Sequence, residues 1–226
     1  MAQFSDTYNA VADQFGDTTT PMITRIKRFI NWTQQDIAAR RNWEFLLKTA
    51  DITTVASTST YSLASDADKV IDIINTTTRA KLGFTSRQEF DARVPYTTST
   101  GSPSVWIPAG RDTNGYLKVQ LYLTPDAEYT LPYWYRKRLT DLSADADVSL
   151  IPLKYHKLLY LGAVAQVYEY DTNPMANNYW VQYENMINDM IDDLESGSED
   201  SVISLRSTDE GSGYRTASLP PDHFSN

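Results

Sequence analysis

The chain has no cysteine, and in 226 residues it has only two histidines, His156 and His223. The first absence excludes a disulfide scaffold, a thiolate-held zinc or iron–sulfur site, and thiol catalysis. The second leaves too few imidazoles for a histidine-rich metal site. Long apolar runs are missing too. The longest, Leu158–Val167, is too short to span a bilayer and contains Gln166. Met1–Asp6 shows no basic stretch followed by an apolar one, so no signal peptide is expected. These features predict a soluble protein of the cytoplasm, or of an assembly built there, with no membrane partner. No phosphate-binding loop, GxSxG elbow, HExxH helix or Rossmann fingerprint occurs.

The acidic residues that remain make poor catalytic candidates. Asp189 and Asp193 share a helix face, but no second acidic helix or phosphate loop accompanies them as Mg²⁺ ligands require. Asp141, Asp145 and Asp147 lack the central glycine and terminal glutamate of an EF-hand loop, which favours a turn. No carboxylate pair stands out as a glycosidase needs. His156 sits in an apolar stretch with no serine or aspartate tied to it, and reads as a hydrogen-bonded packing residue. The expectation is a protein without metal, cofactor or catalytic residues, and so not an enzyme.

What is present is uneven charge. The formal net charge is −9. Between Asp171 and Glu210 ten acids face one base, Arg206, so that segment holds the whole excess. Pro21–Lys48 carries six bases (Arg25, Lys27, Arg28, Arg40, Arg41 and Lys48) against Asp36 and Glu44. A solvated basic face is the ordinary reading of that helix. A contact with phosphates or with an acidic partner is the sharper one. An acidic protein releases few counterions from nucleic acid, so free nucleic-acid binding is disfavoured.

Hydrophobic spacing predicts helices at both ends of the chain. Phe4, Tyr8, Val11 and Phe15 recur at helical steps, with Ser5 as N-cap and Gly16 as stop. Thr20 caps a second helix with Pro21 at its first position. Ile23, Ile26, Ile30 and Ile37 line one face of it to about Arg41. Two further helices are predicted at Leu153–Tyr170 and about Ala176–Leu194, broken apart at Asp171–Pro174. The first is apolar widely around, with Leu153, Leu158, Leu159, Leu161, Val164, Val167 and Tyr168. In the second, Tyr179, Trp180, Tyr183, Ile187, Met190, Ile191 and Leu194 share one face, and Ser196-Gly197 reads as the stop. Asp189, Asp192, Asp193 and Glu195 then crowd the C-terminal end of that helix, where its dipole disfavours them.

Between the helices the period changes to alternation. Strands are predicted at Asp51–Thr60, extended by Tyr61–Leu63, and at Val70–Ile74. Thr77–Gly83 forms another short strand or a loop. Strands follow at Val105–Ile107, Tyr116–Leu123 and Tyr129–Leu139. Ser86–Glu89 is a capping box opening a short helix to Arg93. Asp112–Gly115 is a hairpin turn. Tyr133 and Tyr135 fall on one face of the last strand, and Trp134, Arg136 and Arg138 on the other. The fold class is therefore α+β: a helical bundle with an inserted antiparallel β-sheet or small sandwich and an extended C-terminal tail. In that organisation residues 1–48 and 141–195 supply the bundle, 49–140 the β-rich insertion and 196–226 the tail, whose composition cannot support a core of its own.

Three blocks together resemble the head-to-tail adaptor (connector) proteins of tailed bacteriophages. They are ITRIKRFINWTQQDIAARRNWEFL (Ile23–Leu46), YSLASDADKVIDI (Tyr61–Ile73) and the stretch Tyr133–Tyr170. The third is the most specific, because a basic strand, an acidic loop, a proline and a tyrosine-rich helix occur in one order. In the second, Ala64 stands where a proline is expected in that family. The resemblance implies a virion protein of the neck forming a ring, usually of twelve copies, beneath the portal protein. Such a ring extends the DNA channel and gives tail or nozzle proteins a docking surface, and packaged DNA passes through without sequence-specific binding. On that reading Ile203, Leu205, Tyr214, Arg215, Leu219 and Phe224 are candidate portal-binding residues. Arg25, Arg28, Arg40, Arg41, Trp180 and Tyr183 are candidates for the subunit interface, and Asp189, Asp192 and Asp193 for the channel lining. The alternative from a different class is a carbohydrate-binding or cell-wall-acting module using the aromatic residues of the sheet.

Overall fold

Ile26, Ile30 and Ile37 form one apolar stripe, and the helical half of the molecule is packed against it. The computed structural model describes residues 3–94 and 99–206, the last helix beyond Leu194 by its backbone alone. The chain opens with α1 (Phe4–Phe15) and α2 (Thr20–Arg40). It continues through β1 (Leu47–Thr53), β2 (Thr60–Ser62), β3 (Ala67–Asn75), β4 (Ala80–Lys81) and β5 (Gly83–Phe84), then α3 (Arg87–Arg93). Next come β6 (Val105–Arg111), β7 (Leu117–Tyr122) and β8 (Thr130–Lys137), and the chain returns to helices as α4 (Lys157–Tyr170) and α5 (Met175–Arg206). The architecture is α+β, a helical bundle interrupted by two four-stranded sheets.

The bundle core joins Phe4, Tyr8 and Val11 of α1 to Met22, Ile26, Phe29, Ile30 and Ile37 of α2, and to α4 and α5. Helix α4 is buried nearly all round: Leu158, Leu159, Leu161, Gly162, Ala163, Val164, Ala165 and Val167 all avoid solvent. A helix without a polar face is stable only between other elements. Each such buried aliphatic or aromatic side chain contributes about 1.5–3 kcal/mol. Helices α2 and α4 touch closely at Gly162, where an added Cβ would lie 2.4 Å from Thr33 Cγ2 and 2.7 Å from its Oγ1. The buried Thr33 hydroxyl donates to the Phe29 carbonyl (2.9 Å) and accepts from the Gln166 amide (2.9 Å).

A row of amides on α2 holds the acidic loop that returns the chain from the sheets. Asn31 exchanges two hydrogen bonds with the backbone of Leu142 (3.0 and 2.8 Å), and Gln34 and Gln35 donate to the carbonyls of Thr140 and Leu139 (both 3.0 Å). Gln34 also accepts from Ser149 Oγ (2.7 Å). The loop in turn satisfies the free N–H groups at the start of α1, since Phe4 and Ser5 donate to the carbonyls of Asp147 and Asp145 (2.8 and 3.0 Å). His156 is buried with Nε2 2.8 Å from the Ile151 carbonyl, a packing role.

In the insertion, one sheet runs β1-β8-β3-β4 and the other β2-β7-β6-β5. All neighbours are antiparallel except β5 and β6, which are parallel. Ile52, Ile73, Leu131, Tyr133 and Tyr135 from the first sheet meet Trp106, Val119 and Leu121 from the second in one core, a small sandwich. Alternation in β7 and β8 places these side chains inward, as their spacing predicts.

The structure corrects several sequence boundaries. Helix α1 starts at Phe4 with Gln3 as N-cap, whose N–H donates to Asp6 (2.8 Å), so Ser5 is inside the helix. Gly16 does end α1, at a left-handed φ of 63°. Thr19, not Thr20, caps α2. Leu153–Tyr155 is a 3₁₀ turn and α4 begins at Lys157; Leu153, expected in the core, is exposed. The single strand expected over Asp51–Thr60 is split, because a turn after Thr53 sends β1 and β2 into different sheets. Ser196-Gly197 does not end the last helix, which runs 32 residues to Arg206. Ser and Gly are weak helix formers, and a helix already nucleated and packed carries them at about 0.5–1 kcal/mol each. The segment from Ser196 to Arg206, expected as extended tail, is therefore helical.

Candidate assembly surfaces

Arg40 and Tyr183, expected between subunits, join α2 to α5 within one subunit. The Arg40 guanidinium makes a two-pronged ion pair with Glu184, both contacts 2.7 Å, and its Nε is 2.9 Å from Asp36. The Tyr183 hydroxyl donates to the same Asp36 carboxylate (2.7 Å). Burial, then the bond to Asp36, pushes the Tyr183 hydroxyl pKa far up, and the Glu184 bond raises that of Arg40. Tyr183 is fully buried, and the half-buried Trp180 ring lies edge-on to it at 5.5 Å.

Arg25 and Arg28 have no such partners. The Arg25 guanidinium lies 3.9 Å from the Tyr170 ring centroid, and that of Arg28 lies 5.2 Å from Trp32. Neither forms an ion pair among the described residues. Trp32 and Tyr170 are 54% and 58% exposed. The N-terminal half of α2 thus offers a basic and aromatic strip to solvent.

Of the three acids expected in a channel, Asp193 is engaged inside the subunit. It accepts from Lys154 Nζ (3.0 Å) and from the Tyr155 hydroxyl (2.9 Å). Asp189 and Asp192 are exposed and form no ion pair among the described residues. All three lie well inside α5, which continues to Arg206. The dipole penalty expected from a helix end at Leu194 does not apply, because the effect is confined to the last turn.

Hydrogen bonds hold three carboxyls, two exposed and that of Asp147 partly buried, below the usual aspartate range. For Asp193 the donors are Lys154, then Tyr155; for Asp145 they are Lys27, then Tyr8; for Asp147 they are the backbone N–H groups of Ser143 and Ala144. A lowered folded pKa gives stability that is present above the unfolded value and lost as pH falls through the folded one. We therefore expect stability to drop on acidification below the ordinary aspartate range, with the loop Ser143–Asp147 loosening as its carboxylates protonate. Carboxyl titration by NMR checks this. In Lys27→Met the Asp145 midpoint should rise toward the ordinary value while that of Asp193 stays; equal midpoints in both proteins would show that Lys27 is not the cause.

The aromatic residues of the insertion are divided: Phe84 and Trp134 are 61% and 43% exposed, while others fill the core. Trp106, Tyr133 and Tyr135 are 6%, 2% and 1% exposed, so their faces pack the sandwich and are closed to a sugar ring. The open surfaces lie elsewhere. Where the bundle meets the sheets, Arg40, Arg41, Lys69, Arg136, Lys137 and Arg138 line a basic cleft of about 450 Å³ with Asp68 as its acid. It adjoins a larger groove of about 690 Å³ at Asp68 and Lys69. That groove opens between the sheets, and Val70, Leu82, Phe84, Trp106, Leu117 and Val119 give it an apolar lining. Among the described residues no group of three or more histidines, cysteines or acids is placed to hold a metal ion.

Sequence reasoning missed Lys154 as the partner of Asp193, and missed Phe84 and Lys69 at the groove. Each is isolated in its local pattern and gains meaning from a distant strand or helix. Gly162, alone in an apolar helix, was a readable sign of close helix contact. Arg41 closes α2 at the basic cleft. Ile203 and Leu205 fall on the backbone of α5, while Tyr214, Arg215, Leu219 and Phe224 lie outside the described residues.

A family model described as SU10 adaptor protein matches residues 2–206 of the chain. A search of curated proteins gives no match.

Proposed function

The chain belongs to the SU10 adaptor protein family of phage head-to-tail adaptors, and from that premise we propose that it forms the neck ring that docks on the portal protein, extends the DNA channel and receives the tail. The observation that carries this reading is a family match spanning the bundle, the insertion and all of α5. The surfaces agree with a part built for assembly. Arg25, Arg28 and Trp32 present a basic and aromatic strip suited to a subunit interface, and Arg41 and Trp180, elsewhere on the bundle, are the other candidates for it. Tyr183 and Arg40 support that interface indirectly, by fixing α2 against α5. Asp189 and Asp192, exposed and unpaired among the described residues, suit a lumen that repels phosphates, while Asp193 is held by Lys154. The segment from Ile203 through Phe224 supplies apolar anchors for the portal, in the manner of segments that order on binding. Twelve copies is the number the family resemblance implies.

The test is assembly with the portal protein of the same phage, imaged by negative stain. The full chain should sit on the portal as a closed ring. Deleting Gly211–Asn226 should leave melting unchanged and abolish portal attachment. A chain that never associates with the portal would remove the adaptor reading, and a truncated chain attaching at full strength would remove the role given to the tail.

A further inference from the structure

One sheet of the insertion is open at both edges. Strand β1 pairs only with β8, in an unbroken register from Leu47↔Arg136 to Thr53↔Thr130, and no strand lies on its outer side. Leu47, Lys48, Thr49, Asp51 and Thr53 along it are exposed. At the opposite edge β4 pairs only with Ile74 and Asn75 of β3, so Asp68–Asp72 has no strand beside it on that side. That stretch forms one wall of the apolar groove. Open edges carry unpaired N–H and C=O groups and accept an added strand. Strands β1 and β3 both run antiparallel to β8, so they run parallel to each other. A second copy turned only slightly therefore brings its β1 alongside β3 of the first as a parallel pair. The sheet then runs on from one molecule into the next.

Charge picks out the same contact. The β1 side carries Glu44, three residues ahead of the strand, and Asp51 within it. Both are exposed, and neither forms an ion pair among the described residues. Lys69, Lys137 and Arg138 form none there either, and they line the basic cleft at the N-terminal end of β3. The order along the strands agrees, because in a parallel pair Glu44 of the added copy arrives at that cleft. The faces agree as well. Thr49 and Asp51 stand opposite Trp134 and Pro132, and Lys69 stands opposite Arg136, all on the outer face of the sheet. With Thr49 of one copy level with Lys69 of the other, Asp51 lies one diagonal away, within reach of a lysine side chain. Copies joined through β1 and β3 each keep one edge free, which is the condition for a head-to-tail series that closes into a ring. We propose that β1 of one copy adds to the open edge of β3 in the next, with Glu44 and Asp51 meeting the bases at Lys69 and the cleft. The added strand also roofs the groove at Phe84. This rests on the ring reading above and names the surfaces that build the ring.

Charge reversal tests it, read by sedimentation velocity of the full chain and by negative-stain imaging with the portal protein. Glu44→Lys with Asp51→Lys, or Lys69→Glu with Arg138→Glu, should each weaken self-association about tenfold or more while the monomer melts as the wild type does. Mixing the two variants should restore association, because the basic edge of each one meets the acidic edge of the other. Because the chain has no cysteine, single-cysteine chains give a second readout. Under mild oxidation Thr49→Cys and Lys69→Cys should form a covalent dimer when mixed and not when separate. Charge variants that build a ring on the portal as the wild type does overturn the proposal and leave the adaptor reading standing. A mixture that associates no better than its parts overturns it too, as does Thr49→Cys dimerising alone, which would pair β1 with β1. A wild-type chain that forms no ring with the portal removes the adaptor reading and this proposal with it.

Discussion

Tyr183→Ala should lower stability by about 3–5 kcal/mol, the range for truncating a fully buried aromatic side chain. For a domain of this size that is roughly 6–20 °C in melting temperature. The side chain is 0% exposed and sits among Ile187, Met190 and the α2 and α4 residues of the bundle core. Its ring carries Trp180 edge-on, and its hydroxyl meets Asp36 beside Arg40. Alanine therefore leaves a cavity and also removes one of the two donors on Asp36. Tyr183→Phe separates these effects. It keeps the volume and loses about 1–2 kcal/mol, because Asp36 retains Arg40. Thermal melting and denaturant titration check both values. Wild-type melting of Tyr183→Ala with failed ring formation would show that the side chain serves the subunit contact, contrary to its place in the core.

The parts of the fold that were legible in the sequence are those with a local cause. Ser86 does cap α3, its Oγ accepting from the Glu89 N–H (3.3 Å), while the Glu89 carboxylate pairs with Arg93 (2.7 Å). The turn at Asp112 is fixed by its own carboxylate, which accepts from the N–H groups of Asn114 and Tyr116 (2.8 and 2.9 Å). The period of two in β7 and β8, and the stripe of α2, each follow from burying one face. Where local signals weaken, tertiary packing decided. Asp51–Thr60 reads as one strand because threonine and valine favour extension, yet the turn at Ala56–Ser57 divides it, with Ser57 at a φ of 66°. Ser196-Gly197 reads as a stop because both residues favour helix ends, but the helix around it absorbs the cost. The candidate surfaces were legible as composition and not as geometry. Excess base on α2 and excess acid after Asp171 were plain. That Arg40 would take Glu184, that Asp193 would take Lys154, and that Arg25 and Asp192 would be left over depends on how α2, α4 and α5 are set against one another. The groove was invisible for the same reason: it is a gap left by the shortness of β4 and β5.

Gly162→Ala should cost about 2–3 kcal/mol, although alanine favours a helix more than glycine does by about 1 kcal/mol. On propensity alone the change stabilises, so a loss measures contact across α2 and α4. The new Cβ would stand 2.4 Å from Thr33 Cγ2, 2.7 Å from Oγ1 and 3.1 Å from Cβ. Rotating Thr33 gives no relief, because a β-branched side chain keeps two heavy atoms near the helix in its allowed rotamers. The helices must separate, which loosens Ile30, Ile37 and Val164 around the contact and strains the Gln166 amide bond to Thr33. Thr33→Ala alone removes the hydroxyl that accepts from Gln166, leaving that amide the Phe29 carbonyl at 3.4 Å. The double variant then removes both clashing atoms and keeps only the longer, milder contact to Cβ (3.1 Å). A double-mutant cycle should accordingly show the pair less destabilised than the sum of the singles by about 1–2 kcal/mol. Melting temperatures of the four proteins give that number directly. Additive losses would mean that Gly162 and Thr33 act independently. A stabilised Gly162→Ala would mean that α2 and α4 do not approach as closely as described.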